Sequence, residues 1–325
     1  MKPLQRTSKK TGIILLPVLI ILGLAAALTI NMLFLSRLRL RERETILHTA
    51  QLNTALTDAA LLAMRQLADD EDLQTDHPKE AWAESIEYVT PTGISLWIGI
   101  TDQNSKFDLN NAWFEATPNE HLLAQDALMD MLTYLGDYNP VDRIQALTDW
   151  IDPDEDGFRE SDWYADNDLS NRCPNAWLNT LSELTQVAGF SKDYLTNSHE
   201  RARSSSSYTL RDYLTIIPIS RRSPVPINVN TASAPLLRAI AGIGQDAWVD
   251  YLLTFRANGP LTSLDPLMAI VDPVKADYLR KVLDVRSTVY ALRIRAFQGD
   301  HTAQLLALVR RDPTDGNVQV LQWML

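Results

Sequence analysis

Hydrophobic and polar positions change rhythm along this chain, and each rhythm predicts a different element. Ile13 to Leu35 is 23 residues without a charge, and only Thr29 and Asn31 in it are distinctly polar. At about 1.5 Å per residue such a helix crosses a bilayer core of roughly 30 Å. From Arg41 to Leu67 apolar residues return at helical spacing (Ile46, Leu47, Ala50, Leu56, Ala60, Leu61, Met64, Leu67) with no Gly or Pro, so one helix continues out of the apolar stretch. The period then shortens. Ile86-Glu87-Tyr88-Val89 and Ile94 to Ile100 predict a hairpin around Pro91-Thr92-Gly93, with Lys106-Phe107-Asp108-Leu109 as a further edge. Thr288 to Phe297, Ala303 to Val309 and Val318 to Trp323 predict three more strands, parted by turns at Gln298-Gly299-Asp300 and Asp312 to Gly316. Strands from both ends therefore form one antiparallel sheet packed on the N-terminal helix. Between them Asn110 to Asp284 is mostly helical in pattern, over Glu120 to Leu135, Val141 to Ile151, Ala176 to Val187, Ala234 to Ile240 and Asp246 to Ala257. The serine run from Arg201 to Ser207 predicts a mobile loop.

Composition narrows the partners. Of the 325 residues 46% are apolar, enough for a substantial core, and the net charge is −11. Losing the leader with Lys2, Arg6, Lys9 and Lys10 takes it from −11 to −15, and such a body disfavours nucleic acid and suits a domain that holds cations. Cys173 is the only cysteine, which rules out an intrachain disulfide. No Gly-rich phosphate loop, metalloprotease helix or Ser/His/Asp order is present, and the five histidines are scattered. The expectation is a protein that is not an enzyme.

The N-terminus carries a specific resemblance. A short basic leader, Gly12 and then an aliphatic helix resemble the prepilin-peptidase signal of the type IV pilin superfamily. The resemblance implies cleavage between Gly12 and Ile13. Most members carry a Glu at the fifth mature position, where this chain has Pro17. That Glu neutralises a neighbour's amine in the membrane, where an unpaired charge is costly. A subunit without it suits the tip of a filament.

The densest chemistry is an acidic loop. From Asp149 to Asp168 there are nine carboxylates and one arginine. Asp152, Asp154, Asp156 and Gly157 match positions one, three, five and six of a calcium loop, while Trp163 stands where an EF-hand places Glu. Glu160 or Asp162, or Asp149 at the preceding helix end, would complete the shell. Hard oxygen donors without His or Cys favour Ca²⁺.

A second phrase, Ile227-Asn228-Val229-Asn230-Thr231-Ala232, precedes Gly242-Ile243-Gly244. Two helices joined by Gly-x-Gly resemble a helix-hairpin-helix, whose turn amides can meet a phosphate. The same unit occurs in membrane-anchored competence DNA receptors, which gives the alternative function, DNA binding. Few basic residues surround it (Arg238, Arg256), and Gln245-Asp246 follows the second Gly. A packing role for Gly242 and Gly244 is therefore favoured, with no nucleic-acid partner.

In order along the chain, these features resemble the minor pseudopilin K family of type II secretion systems. They are the leader without its Glu, Asp149-Trp150-Ile151-Asp152 with Glu160 and Tyr164, Asn175 to Gly189 with Leu181-Ser182-Glu183-Leu184, the Ile227 to Ala232 phrase, and a β-rich end. The resemblance implies an α/β fold, with a pilin-like long N-terminal helix packed on an antiparallel sheet and a large mostly α-helical insertion containing the hairpin unit. The expected divisions are a leader (1–12), a transmembrane part of the helix (13–35), the pilin-like helix and first strands (36–109), the insertion (110–285) and the closing strands (286–325). It implies a subunit at the tip of a periplasmic pseudopilus, initiating or capping assembly for protein export. It also implies a structural Ca²⁺ in the insertion, for which Asp149, Asp152, Asp154, Asp156, Glu160 and Asp162 are the candidate ligands. The implied partners are other minor pseudopilins, the major pseudopilin and the prepilin peptidase. The implied place is the bacterial inner membrane, crossed once, with the body in the periplasm.

Overall fold

The computed structural model describes residues 15–113, 120–167, 173–196, 209–218 and 225–324. Gly12, Ile13 and the serine run lie outside the described residues. The helix α1 runs unbroken over Leu15–Ala68, 54 residues. Its first half is exposed along its whole length, with an 18-residue window of mean hydropathy 2.6. Its second half buries Leu52, Ala55, Leu56, Ala59, Ala60, Ala63 and Leu67, one stripe at helical spacing. Four of those seven are alanines, so the helix axis approaches the sheet closely.

Strands β1 (Ile86–Val89) and β2 (Ser95–Asp102) follow as the expected hairpin. The chain then leaves the sheet. Asn104 N donates to Asp102 Oδ1 (2.7 Å) and Ser105 Oγ to Asp102 O (2.7 Å), which turns the backbone away. As a result β3 (Phe107–Asp108) is no edge of the main sheet: it pairs in parallel with a later strand. The helices α2 (Glu120–Tyr134), α3 (Pro140–Ile151), α4 (Ser161–Asp166), α5 (Lys192–Thr196) and α6 (Leu210–Tyr213) come next. The partner of β3 is β4 (Leu214–Thr215). Then come β5 (Ile227–Asn228), α7 (Ala234–Ala241), α8 (Asp246–Asn258), α9 (Asp265–Met268) and α10 (Pro273–Val282), and β6 (Leu283–Asp284) pairs in parallel with β5. The chain closes with β7 (Val289–Gln298), β8 (His301–Arg311) and β9 (Val318–Met324).

The main sheet has the order β1-β2-β7-β8-β9, antiparallel throughout. Its central pair joins a strand from before the insertion to one from after it, in register from Ser95↔Phe297 to Asp102↔Tyr290. The inner face (Leu96, Ile98, Ile100, Tyr290, Leu292, Ile294, Ala307, Val309) packs on the alanine stripe of α1, while the insertion holds a separate core. This is a pilin-like α/β fold with a helical insertion.

One expected helix is largely absent. Ala176 to Val187 forms only a 3₁₀ turn, Leu181–Gln186. Asn110 explains it: its amide donates to Leu178 O (3.0 Å) and its Oδ1 accepts from Leu178 N (3.2 Å). Those two bonds claim the backbone groups a helix would need.

Candidate functional site

The acidic loop joins α3 to α4, and Asp149 in the last turn of α3 folds it. Its Oδ2 accepts from Phe158 N (3.0 Å) and Arg159 N (2.7 Å), closing the loop over the helix end. Asp156 N donates to Asp154 Oδ1 (3.0 Å), a local Asx turn. Gly157 sits where a Cβ would strike both Asp149 and Glu160, so the position requires glycine on steric grounds.

Asp152, Asp154 and Glu160 bring carboxylate oxygens within 4.8 Å of one another. Glu160 is 6% exposed and neither of its oxygens has a protein donor; Asp152 Oδ1 is likewise buried and unpartnered. Burial, then the neighbouring Asp149 and Asp152, pushes Glu160 up to about 7. Burial, then Asp154 and Asp149, pushes Asp152 up to about 6. Asp149 lines the same space through its contact with Gly157, whereas Asp156 and Asp162 are exposed and outside the convergent group.

Sequence reasoning missed Asn175. It is the one described non-glycine residue with positive φ (45°). Its amide nitrogen holds Asp154 O (2.9 Å) and Glu155 Oε1 (3.2 Å), and its Oδ1 is buried and unpartnered. In the sequence it stood out only as the first residue of the Asn175 to Gly189 stretch, with no ligand role attached. Cys173 beside it donates to Arg159 O (3.3 Å), and burial and the nearby Glu160 push its thiol up to about 12, which makes it a packing residue. Buried oxygens without donors are costly unless neutralised. The cluster of oxygen donors fits a hard divalent cation.

The second candidate is the turn between α7 and α8. Gly242 and Gly244 both have φ +82°, a conformation that favours glycine. Its nearest arginine is engaged: Arg238 binds Asp246 (2.8 Å) and Asp250 (2.7 Å). Arg256 points inward and donates to Val229 O (3.0 Å) and Ala232 O (2.6 Å). Around them the Ile227 to Ala232 phrase is a joint. Asn230 bonds both the N–H and the C=O of Leu261, and Asn228 donates to Asp76 O and Ser287 Oγ. Thr231 donates to Asp102, and Asn104 ties Pro226 to Val289. These side chains bind the insertion to the end of the pilin-like sheet.

Residues 105–198, which contain the acidic loop and its surrounding helices, match the family described as type II secretion system protein K. The matched segment is 94 of the chain's 325 residues. Among curated proteins no sequence matches the chain. Among solved structures, a chain of the GspK-GspI-GspJ complex from the enterotoxigenic Escherichia coli Type 2 Secretion System is similar over 87% of this chain and 98% of its own, with a TM-score of 0.67 at 20% identity. The likeness in fold extends well beyond the segment that the family matches.

Proposed function

We propose that this chain is a minor pseudopilin at the tip of a type II secretion pseudopilus, where it initiates or caps assembly by packing and performs no catalysis. One observation carries the proposal: the protein K segment lies within a helical mass inserted between β2 and β7 of a pilin-like helix and sheet. A bare pilin-like unit can stack under another, whereas this bulk obstructs the next subunit. The exposed apolar half of α1 spans the inner membrane and packs on other subunits, and the body projects into the periplasm. The partners are the other minor pseudopilins, as in the complex to which the fold is similar, and the major pseudopilin below them.

The acidic loop holds a structural Ca²⁺ in this reading. Asp152, Asp154 and Glu160 supply charge, Asn175 Oδ1 a neutral oxygen, and Asp149 keeps the loop closed. The cation neutralises carboxylates that otherwise repel. Prepilin peptidase cleaves after Gly12, releasing Ile13 as the new N-terminus. The test is processing in cells: Gly12→Val should leave an uncleaved precursor and abolish secretion. Normal cleavage and secretion would overturn the assignment. The engaged state of Arg238 and Arg256 argues for the packing role of the hairpin over DNA binding.

A further inference from the structure

The stretch where α1 leaves its apolar half carries four arginines that the rest of the protein does not engage. After Leu35 the chain reads Ser36-Arg37-Leu38-Arg39-Leu40-Arg41-Glu42-Arg43-Glu44, all of it helical and exposed. Among the described residues none of the four arginines is in an ion pair, with Glu42 and Glu44 or any other carboxylate. No other element packs on this stretch, since every described residue up to Leu47 is exposed. Residues four apart share a helix face, so Arg37 stands below Arg41 and Arg39 below Arg43, the two pairs on opposite sides of the helix. Like charges so placed repel and weaken a helix, and an anion between them reverses the effect. At about 1.5 Å per residue the four arginines start about 3, 6, 9 and 12 Å beyond Leu35. The headgroup region adds about 5–7 Å on each side of the hydrocarbon core, so Arg37 and Arg39 begin inside it. Helical side chains lean towards the N-terminus, here the membrane side, and the long stems of Arg41 and Arg43 bring their guanidinium groups back towards that depth. Glu42 and Glu44 are shorter and start about 10 and 13 Å out, so they stay above it.

We infer that the two pairs bind the phosphodiesters of anionic phospholipids, one headgroup between Arg37 and Arg41 and another between Arg39 and Arg43. Depth selects this ligand: the guanidinium groups gather where lipid phosphates lie, at the end of an apolar helix of bilayer length. Each guanidinium offers a planar fork of N–H donors that matches the oxygens of a phosphate. Arginines on the exported side also run against the usual placement of basic residues around a membrane span, so their position needs a partner on that side. The body cannot supply the attraction, because a net charge of −11 is repelled by an anionic surface. Bound headgroups would fix the depth of α1 and hold the acidic body close to such a surface. The inference rests on the reading of α1 as a membrane span, and the experiment separates the two.

The full chain is first reconstituted with phosphatidylcholine vesicles and floated on a density gradient. Failure to float would overturn the membrane reading, and this proposal with it. The chain in uncharged detergent then receives equal amounts of phosphatidylglycerol and phosphatidylcholine with identical acyl chains, and native mass spectrometry counts the lipid bound. Phosphatidylglycerol should be preferred by about tenfold or more, and less so as salt rises. Arg37→Gln/Arg41→Gln and Arg39→Gln/Arg43→Gln should each remove one bound phosphatidylglycerol, and the four changes together should abolish the preference. Arg37→Lys/Arg41→Lys should retain it in large part, since the charge remains while the fork is lost. A matched loss of two distant charges, Lys79→Gln/Lys192→Gln, should change it by less than about twofold. EDTA should leave it intact, which separates the arginines from a cation bridge at the acidic loop. In a chain that floats, equal binding of the two lipids, equal losses in the local and distant Gln pairs, or loss of the preference in EDTA would overturn the proposal alone. So would displacement by inorganic phosphate at a low concentration, which would show a simple anion site.

Discussion

At the scale of single residues, Glu160 and Asp108 are two buried carboxylates with opposite solutions. Glu160 faces other carboxylates with no donor, so a cation is its natural partner. Added Ca²⁺ should raise the melting temperature of the wild-type protein and EDTA should lower it. The gain is about 2.7 kcal/mol when free cation exceeds its Kd about a hundredfold. Glu160→Gln should abolish the response, and calorimetry with and without chelator would show it. Gly157→Ala keeps every ligand but drives a methyl into Asp149 and Glu160. Its cation affinity should drop by about tenfold or more, measurable by titration calorimetry. Asp108 instead accepts from Asn110 N (3.3 Å) and Ile217 N (3.4 Å) inside the insertion. Burial pushes it up to about 7, so the folded protein binds its proton more tightly than the unfolded chain. Its stabilisation is then full below about pH 4 and is lost as pH rises through about 7. Between pH 4.5 and pH 8 the stability of Asp108→Asn relative to wild type should therefore improve by about 1–3 kcal/mol. Denaturant melts at the two pH values would check this, and a constant difference would contradict it.

At the scale of elements, a buried ion-pair cluster fastens the end of α1 to the sheet. Arg311 of β8 is 1% exposed and pairs with Asp70 (2.5 Å) and Asp76, just beyond α1. Its guanidinium lies 5.1 Å from the ring centre of Tyr290, whose hydroxyl donates to Asp76 Oδ1 (2.6 Å). Removing one partner strands a buried charge, so Arg311→Ala should cost about 3–5 kcal/mol, read by denaturant unfolding. Long periodic elements were legible in the sequence. The α1 stripe from Leu52 to Leu67, the strands after Thr288 and the helices on either side of Gly242 all announce themselves by period. Short elements did not, because distant side chains make them. Asn110 pulls Leu178 out of a helix, and the turn after Asp102 sends Phe107 and Asp108 to pair with Leu214 and Thr215. Asn175 was equally hidden, since its value depends on a loop more than a dozen residues earlier in the chain.

At the scale of the molecule, a membrane-length apolar helix leads into a pilin-like sheet, and the insertion rides between its central strands. The acidic loop lies in the insertion, between α3 and α4. Work as a tip subunit requires a complex with the other minor pseudopilins, and co-purification reads that complex directly. The full chain would be co-expressed with the other two minor pseudopilins of the same system and isolated in uncharged detergent, with Ca²⁺ or with EDTA. A stable complex containing one copy of each subunit is expected with Ca²⁺, and a weakened complex in EDTA. Recovery of the chain alone under both conditions would contradict it.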